Sequence, residues 1–253
     1  MWTLYTSGHI HSVTVIGALA AGTGLPMRQT PCALEDGGMV TYGALRGLRP
    51  LWRQAQHERR DFVYVDNGYF RPSAHGRRDY SGYYRATRNA VQHDGSGNAD
   101  PHRFEMLGKR LMPWRKDGRQ IMVCPPGQVY AGVMGFDAQR WLTDTLRALR
   151  AATDRPLLVR DKRQAGAVPL WEALRDVHAL VTHSSNAAVE ALLYGVPVFC
   201  TAPCAAQAMG CGDLGQIEKP LYPEREQWAW NLAANQWTLA EMKSGQAWRE
   251  LNA

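Results

Sequence analysis

The chain has 253 residues and a formal net charge of +6, with 45% hydrophobic and 21% charged residues, enough to bury one large core or two small ones. No apolar stretch approaches the roughly 20 residues of a membrane span, and Met1-Trp-Thr-Leu lacks the basic start and apolar block of a secretory signal. Five cysteines, an odd number with no C-x-x-C pair, argue for a reducing compartment and against a disulfide framework, so a soluble cytoplasmic enzyme is the expected class.

Thr3-Leu-Tyr5 reads as a first strand. A polar turn, Ser7-Gly-His-Ile-His11, leads into an apolar helix-like run from Val13 to Ala21, which Gly22-Thr-Gly-Leu-Pro26 breaks. Tyr42 to Gln56 reads as a helix with Leu45, Leu48, Leu51, Trp52 and Ala55 on one face. Asp61 to Asp66 is the clearest strand of the first half, and it ends in a polar turn sequence, Asp66-Asn-Gly68. Residues 71–82, rich in Gly, Arg and Ser, read as an exposed loop. Tyr83 to Arg88 reads as a strand, with a helix as the alternative, and residues 92–101 as another loop.

Lys116-Asp-Gly-Arg119 is the expected domain boundary. Beyond it, strands at Gln120–Cys124, Pro156–Arg160 and His178–Thr182 alternate with helices at Asp137–Ala152 and Pro169–Asp176, the pattern of a parallel sheet wound by helices. The first of these strands closes on Pro125-Pro-Gly127, and Trp141, Leu142, Thr145 and Leu149 share one face of the longer helix. The stretch from Glu224 to Asn252 is Trp-rich and reads as helical, its tryptophans as core. A faint echo suggests two similar halves: Arg49-Pro-Leu-Trp precedes the strand ending at Asp66, and Val168-Pro-Leu-Trp precedes the strand ending at Thr182. That echo places Asp66 and His183 at equivalent strand ends, which line the ligand crevice of open α/β sheets.

The most informative stretch runs from Val181 to Phe199: a buried strand, a polar turn, a short helix, a glycine stop and a second buried strand. The turn puts His183, Ser184, Ser185 and Asn186 at a strand's carboxyl end and a helix's amino end, where backbone N–H groups and the helix dipole favour an anion. Glu190 lies one helical turn beyond Asn186 on the same face. Gly195 fits a left-handed C′ position, with Pro197 after it. Phosphate on the N–H groups and ribose hydroxyls on the acid make this a nucleotide pattern. The plainer alternative is one βαβ unit with Ser185 or Asn186 as an ordinary N-cap, which explains one polar residue rather than four.

His183-Ser-Ser-Asn-Ala-Ala-Val-Glu-Ala-Leu-Leu-Tyr-Gly-Val-Pro-Val198 resembles the donor-binding signature of B-type glycosyltransferases, which have two Rossmann domains. The nearest flavour is the capsule-polysaccharide and Kdo-transferase-like branch, with similar proteins encoded by phages. Trp230 to Trp248 resembles the tail of that branch, while the N-terminal half matches loosely. The resemblance implies an α/β fold of two small facing Rossmann-like domains with a helical C-terminal tail. Residues 1–118 would bind the acceptor and residues 119–253 the nucleotide sugar, with the Ser/Asn turn on the phosphates and Glu190 on the ribose. Similar proteins often have a basic residue after the preceding strand, which points to Arg160 or Lys162 as a phosphate contact. Typical members are considerably longer, so a trimmed first domain is expected.

Glycosyl transfer needs a base for the acceptor hydroxyl and a cationic or N–H-rich pocket for the leaving phosphate. Asp66, at a strand end, is the first candidate base, with ordinary turn chemistry as the alternative. His11, paired with His9 at the first turn, is the second, and His9 is also a candidate acceptor contact. Arg85 and Arg88 would clamp an acceptor phosphate if residues 83–89 were helical, and Gly127 would let the backbone approach the donor. No Asp-x-Asp is present, so a metal-free plan is expected, with no cofactor and a nucleotide sugar, first of all a UDP-sugar, as donor. There is no Walker P-loop. Gly210-Cys-Gly-Asp-Leu-Gly215 matches G-x-G-x-x-G but follows no strand, and reads as a flexible loop. Cys200, Cys204 and Cys211 lack zinc-knuckle spacing and read as buried or loop thiols.

The entire charge surplus lies in residues 1–118, mostly as arginine, and residues 119–253 are balanced. A basic half beside a neutral one suggests a polyanion partner, with a solvated basic face as the alternative. The combined expectation is a glycosyltransferase acting on a hydroxymethylated pyrimidine in phage-type DNA, turned out of the helix. The rivals are a glycosyltransferase acting on a capsule or lipid-linked glycan, a sugar-nucleotide epimerase, and a non-catalytic nucleic-acid-binding protein.

Overall fold

In the computed structural model, which describes residues 1–71, 80–161 and 168–253, strand-forming runs assemble into two separate sheets. The first unit comprises Met1–His93 and Leu232–Ala253. Its strands β1 (Trp2–Thr6), β2 (Met27–Gln29), β3 (Gly38–Tyr42) and β4 (Phe62–Asn67) are parallel in the order β2-β1-β3-β4, and β5 (Tyr84–Arg88) adds antiparallel to β4. Helix α1 (Ile10–Thr23) follows β1 and α2 (Arg49–His57) follows β3. Leu4, Val15, Ile16, Leu19, Val40, Val63 and Val65 form the core between sheet and helix. The single helix expected over 42–56 is instead the end of β3 and then α2. Gly43 and Gly47, both at positive φ (66° and 95°), break the chain between them.

The second unit is Asp94–Asn231. It begins with α3 (His102–Met106), and its sheet is β6 (Gln120–Cys124), β7 (Leu157–Val159), β8 (Val177–Thr182) and β9 (Val198–Cys200). All four strands are parallel in the order β7-β6-β8-β9. Helices α4 (Gln128–Met134), α5 (Ala138–Ala152), α6 (Leu170–Ala173) and α7 (Ala187–Leu193) connect them. β8 is buried along its whole length, as a strand covered on both faces is; Ala179–Val181 are apolar, and the two buried polar side chains are paired, His178 with the Ile217 carbonyl and Thr182 with the Cys124 carbonyl. Asp137 caps α5 by accepting from the N–H groups of Gln139 and Arg140 at 2.7 and 3.0 Å.

The boundary expected at Lys116–Arg119 falls inside the second unit, so segments 1–118 and 119–253 do not coincide with the units observed. Residues 112–115 lie along the end of α7, with the N–H groups of Met112 and Arg115 donating to the carbonyls of Leu193 and Gly195, both at 2.8 Å. The tail is not purely helical either. After α8 (Glu226–Ala234), Gln236–Trp237 form β10, antiparallel to β5, and only then come α9 (Leu239–Lys243) and α10 (Gln246–Leu251). α9 and α10 pack on α1 so closely that a Cβ at Gly22 would lie 2.1 Å from the Met242 carbonyl oxygen. Trp228 and Trp237 are core, as expected.

Counting parallel strands by order of appearance, both sheets read second, first, third, fourth. The order reverses between first and third strands, and the crevice beyond their carboxyl ends is where such sheets bind ligands. These switch points are β1/β3 in the first unit and β6/β8 in the second. The G-x-G-x-x-G match forms a loop beside β9, where Cys211 bridges to Phe199, and ends in one 3-10 turn, Leu214–Gln216, capped by Asp213. Among the described residues, no helix is long and apolar enough to cross a membrane.

Candidate functional site

At the β6/β8 switch point, Thr182 ends β8 and its hydroxyl donates to the Cys124 carbonyl at the end of β6, 2.7 Å away. The turn that follows is tightly knit. Thr182 Oγ1 accepts the Ser185 N–H at 3.4 Å, and Ser185 Oγ accepts the Ala187 N–H at 3.2 Å. Ser185, one residue before the N-cap of α7, thus takes up the first N–H of the helix, and two N–H groups of the turn are satisfied internally. Ser184 is buried, its hydroxyl 3.0 Å from His183 Nδ1 and 3.1 Å from the Tyr130 hydroxyl. The His183 ring stacks on Phe136 (centroids 4.2 Å apart, planes 14°) and meets Trp141 and Tyr130 edge-on. Burial lowers the His183 pKa and favours the neutral imidazole.

Glu190 projects from α7 and is partly buried. Desolvation pushes its carboxyl above the ordinary range, while Lys109 and Arg160 pull in the other direction. Arg160 and Glu190 both act on Cys124, whose thiol burial raises to about 12, with Arg160 lowering it and Glu190 raising it. Glu190, Arg160, Lys109 and the end of β6 thus share one electrostatic neighbourhood. Arg160 is held at the end of β7 by its N–H to the Val123 carbonyl and its guanidinium to the Val168 carbonyl. Asn186 stands at the N-cap position of α7, and Gly127, in extended backbone, at that of α4. Lys162 lies outside the described residues. Lys109 was not foreseen, because its segment reads locally as part of the other domain.

At the β1/β3 switch point, His9 caps α1, its Nδ1 accepting the His11 N–H at 3.4 Å. The two rings stack at 5.6 Å, and His11 also lies 5.2 Å from the Tyr80 ring. Ser12 Oγ accepts from the Thr6 hydroxyl and the Ser7 N–H, both at 3.1 Å, which fixes the turn. Tyr42 ends β3, and its hydroxyl donates to Asn67 Oδ1 at 3.3 Å. Burial, then the charge of Asp66, raise the Tyr42 phenol pKa.

Asp66 is not in a turn. It pairs with Arg85 across β4 and β5, Asn67 pairs with Tyr84, and the Gly68 N–H continues to the Tyr83 carbonyl. It is on a fourth strand whereas His183 follows a third, so Tyr42 and Thr182, not Asp66 and His183, end equivalent strands. Arg85 and Arg88 do not form a clamp. In an extended strand residues three apart point to opposite faces. Arg85 is buried on Asp66, the Asn67 carbonyl and the Tyr69 ring. Arg88 pairs with Asp61 at 3.3 Å and lies over the Trp2 ring.

No family model matches the chain, and no curated protein matches it by sequence. Among solved structures it is similar to Thermosulfurimonas dismutans KpsC, beta Kdo 2,4 transferase, with a TM-score of 0.56 and 12% identity over 91% of this chain and 90% of that one. It is similar also to Thermosulfurimonas dismutans KpsC, beta Kdo 2,7 transferase, with a TM-score of 0.57 and 11% identity over 98% of this chain and 99% of that one. At such identity the likeness is one of fold. The fold is the mixed α/β architecture of GT-B-like glycosyltransferases.

Proposed function

We propose that the protein is a glycosyltransferase whose second unit binds a nucleotide sugar at the β6/β8 switch point and whose first unit takes up a glycan acceptor. The observation that carries this reading is Glu190, a partly buried carboxylate one helical turn beyond the His183–Asn186 turn, in the field of Lys109 and Arg160. Such a carboxylate accepts from ribose hydroxyls, and the cations suit the charge of the departing phosphate. His183, Ser184, Ser185, Asn186 and Gly127 form the donor wall in this reading, and Lys162 extends the basic segment after β7. The donor is a UDP-sugar in the first instance, with a nucleotide-activated Kdo as the second candidate because both similar structures are named as Kdo transferases.

In the transfer step, the acceptor hydroxyl loses its proton to a base, its oxygen bonds the anomeric carbon, and the sugar–phosphate bond breaks with its electron pair on the nucleotide. His11, stacked on His9 at the β1/β3 switch point, is the better base. Both oxygens of Asp66 are engaged, one by Arg85 and one by the Asn67 N–H. A glycan is favoured over DNA because both similar structures are named as Kdo transferases. Arg85 and Arg88, the cations expected to clamp an acceptor phosphate, are instead engaged by Asp66 and Asp61.

Mass spectrometry after incubation with UDP-sugars or nucleotide-activated Kdo tests this, with Kdo-terminated oligosaccharide and hydroxymethylated duplex DNA as acceptors. A sugar-mass gain on the oligosaccharide is expected. Gain on the DNA alone would reverse the acceptor, and epimerised donor in the absence of any acceptor would contradict transfer.

A further inference from the structure

A groove of about 740 Å³ opens on the second unit where residues 112–117 run past α6 and the carboxyl end of α7. It lies beyond the end of α7 opposite the His183–Asn186 turn, and that helix is on the order of 10 Å long. Three aromatic rings, Trp114, Trp171 and Tyr194, wall it beside Arg115, Lys116 and Asp117. Trp114 is fixed in place. Its indole N–H donates to the Pro223 carbonyl at 3.1 Å, Tyr222 meets it edge-on at 5.4 Å, and the buried Arg225 guanidinium sits 3.7 Å from its ring centroid. Arg225 in turn donates to the carbonyls of Leu192 and Met112.

Trp171 stands out against its own echo in the chain. Both Pro-Leu-Trp segments open a helix, but Trp52 is 2% exposed and stacks on Tyr64, whereas Trp171 is 44% exposed. A tryptophan left in solvent beside a rigid one is a surface arranged for contact. The charge of the groove is positive: Arg115, Lys116 and Arg175, whose guanidinium lies 5.3 Å from the Trp171 ring, stand against Asp117.

We infer that this groove binds an acidic glycan, with the C–H faces of its sugar rings on Trp171 and Trp114 and its carboxylates on Arg115 and Lys116. Asp117 accepts from sugar hydroxyls, which recur on every ring of a glycan and are absent along a single DNA strand, and this favours a glycan over single-stranded DNA. Placed away from the donor turn, the groove holds a part of the glycan remote from the reacting end. Only that identification of the ligand as acceptor rests on the glycosyltransferase reading.

Calorimetric titration of the whole protein with oligosialic acid, a neutral dextran oligomer and oligothymidylate tests the inference. Oligosialic acid is expected to bind, and the dextran oligomer to bind at least about tenfold more weakly. Trp171→Ala and Lys116→Glu, both at exposed positions, are each expected to weaken oligosialic acid by about tenfold or more. Neither should alter the thermal shift given by a nucleotide sugar, so failure here is separable from failure of the donor site. The inference is overturned if oligosialic acid does not bind, if both variants bind it as the parent does, or if oligothymidylate binds in its place.

Discussion

Asp66 and Arg85 are cross-strand partners on β4 and β5, and their side chains meet, the guanidinium donating to Asp66 Oδ2 at 3.2 Å. The arginine side chain is 7% exposed and the aspartate 34%, so the pair is sealed at its cationic end. An acid with this partner holds two strands together before it does anything else.

Asp66→Asn is therefore expected to act on stability, lowering it by about 1–3 kcal/mol in denaturant titration because a buried charge loses its ionic partner. Turnover of the folded variant should fall less than tenfold. His11→Ala should do the reverse, with a rate loss of about 10²–10⁴ and stability within about 0.5 kcal/mol of the parent. Loss of turnover in Asp66→Asn at unchanged stability would restore the aspartate as the base.

Gly195 ends α7 at φ 72°, and a Cβ there would lie 2.0 Å from the Pro113 carbonyl oxygen. Left-handed backbone costs a residue with a side chain about 1 kcal/mol, and the clash with a main-chain atom adds to it. Gly195→Ala is expected to lose at least about 2 kcal/mol by chemical denaturation. A variant as stable as the parent would show that residues 112–115 do not pack on the end of α7.

His178 and His183 both have pKa values lowered chiefly by burial, with Arg155 contributing at His178. A depressed histidine pKa means that the unfolded chain takes up the proton first. Stability is then fully present above the ordinary histidine range and falls as the pH drops below about 6.5. Melting temperatures recorded from neutral to mildly acidic pH should decline, and His183→Gln should flatten part of that decline. A melting temperature that rises on acidification over this range would contradict both placements.

What was legible in the sequence was what local chemistry determines. β6 is legible at its observed bounds and β8 to within a residue, because each has a central apolar run, Ile121–Cys124 and Ala179–Val181, followed by turn residues. Gly195 was read at its C′ position because few other residues adopt positive φ there. What escaped depends on distant partners. β10 is two residues whose hydrogen bonds come from the edge of β5, far away in sequence. Arg85 reads as a surface cation until its strand neighbour is known. Gly118 resembled a linker glycine, yet a Cβ there would lie 2.3 Å from the backbone of Val177 and His178, so it marks a close approach to β8. Lys109 joined the site only because residues 94–118 belong with the second unit.

Glu190 carries the central claim, and isothermal titration of the parent and Glu190→Gln with UDP-sugars and nucleotide-activated Kdo tests it most directly. A nucleotide sugar is expected to bind the parent, and the substitution to weaken it by about 10- to 100-fold, the worth of hydrogen bonds to a charged acceptor. The fold should not suffer. Burial raises the Glu190 carboxyl, so its ionisation opposes folding once the pH rises through that raised value. Glutamine should thus match or exceed the parent's melting temperature at neutral pH, with the gain fading as the pH falls into the carboxylate range. Failure of every nucleotide sugar to bind, or equal binding by parent and Glu190→Gln, would contradict a donor site at the β6/β8 switch point.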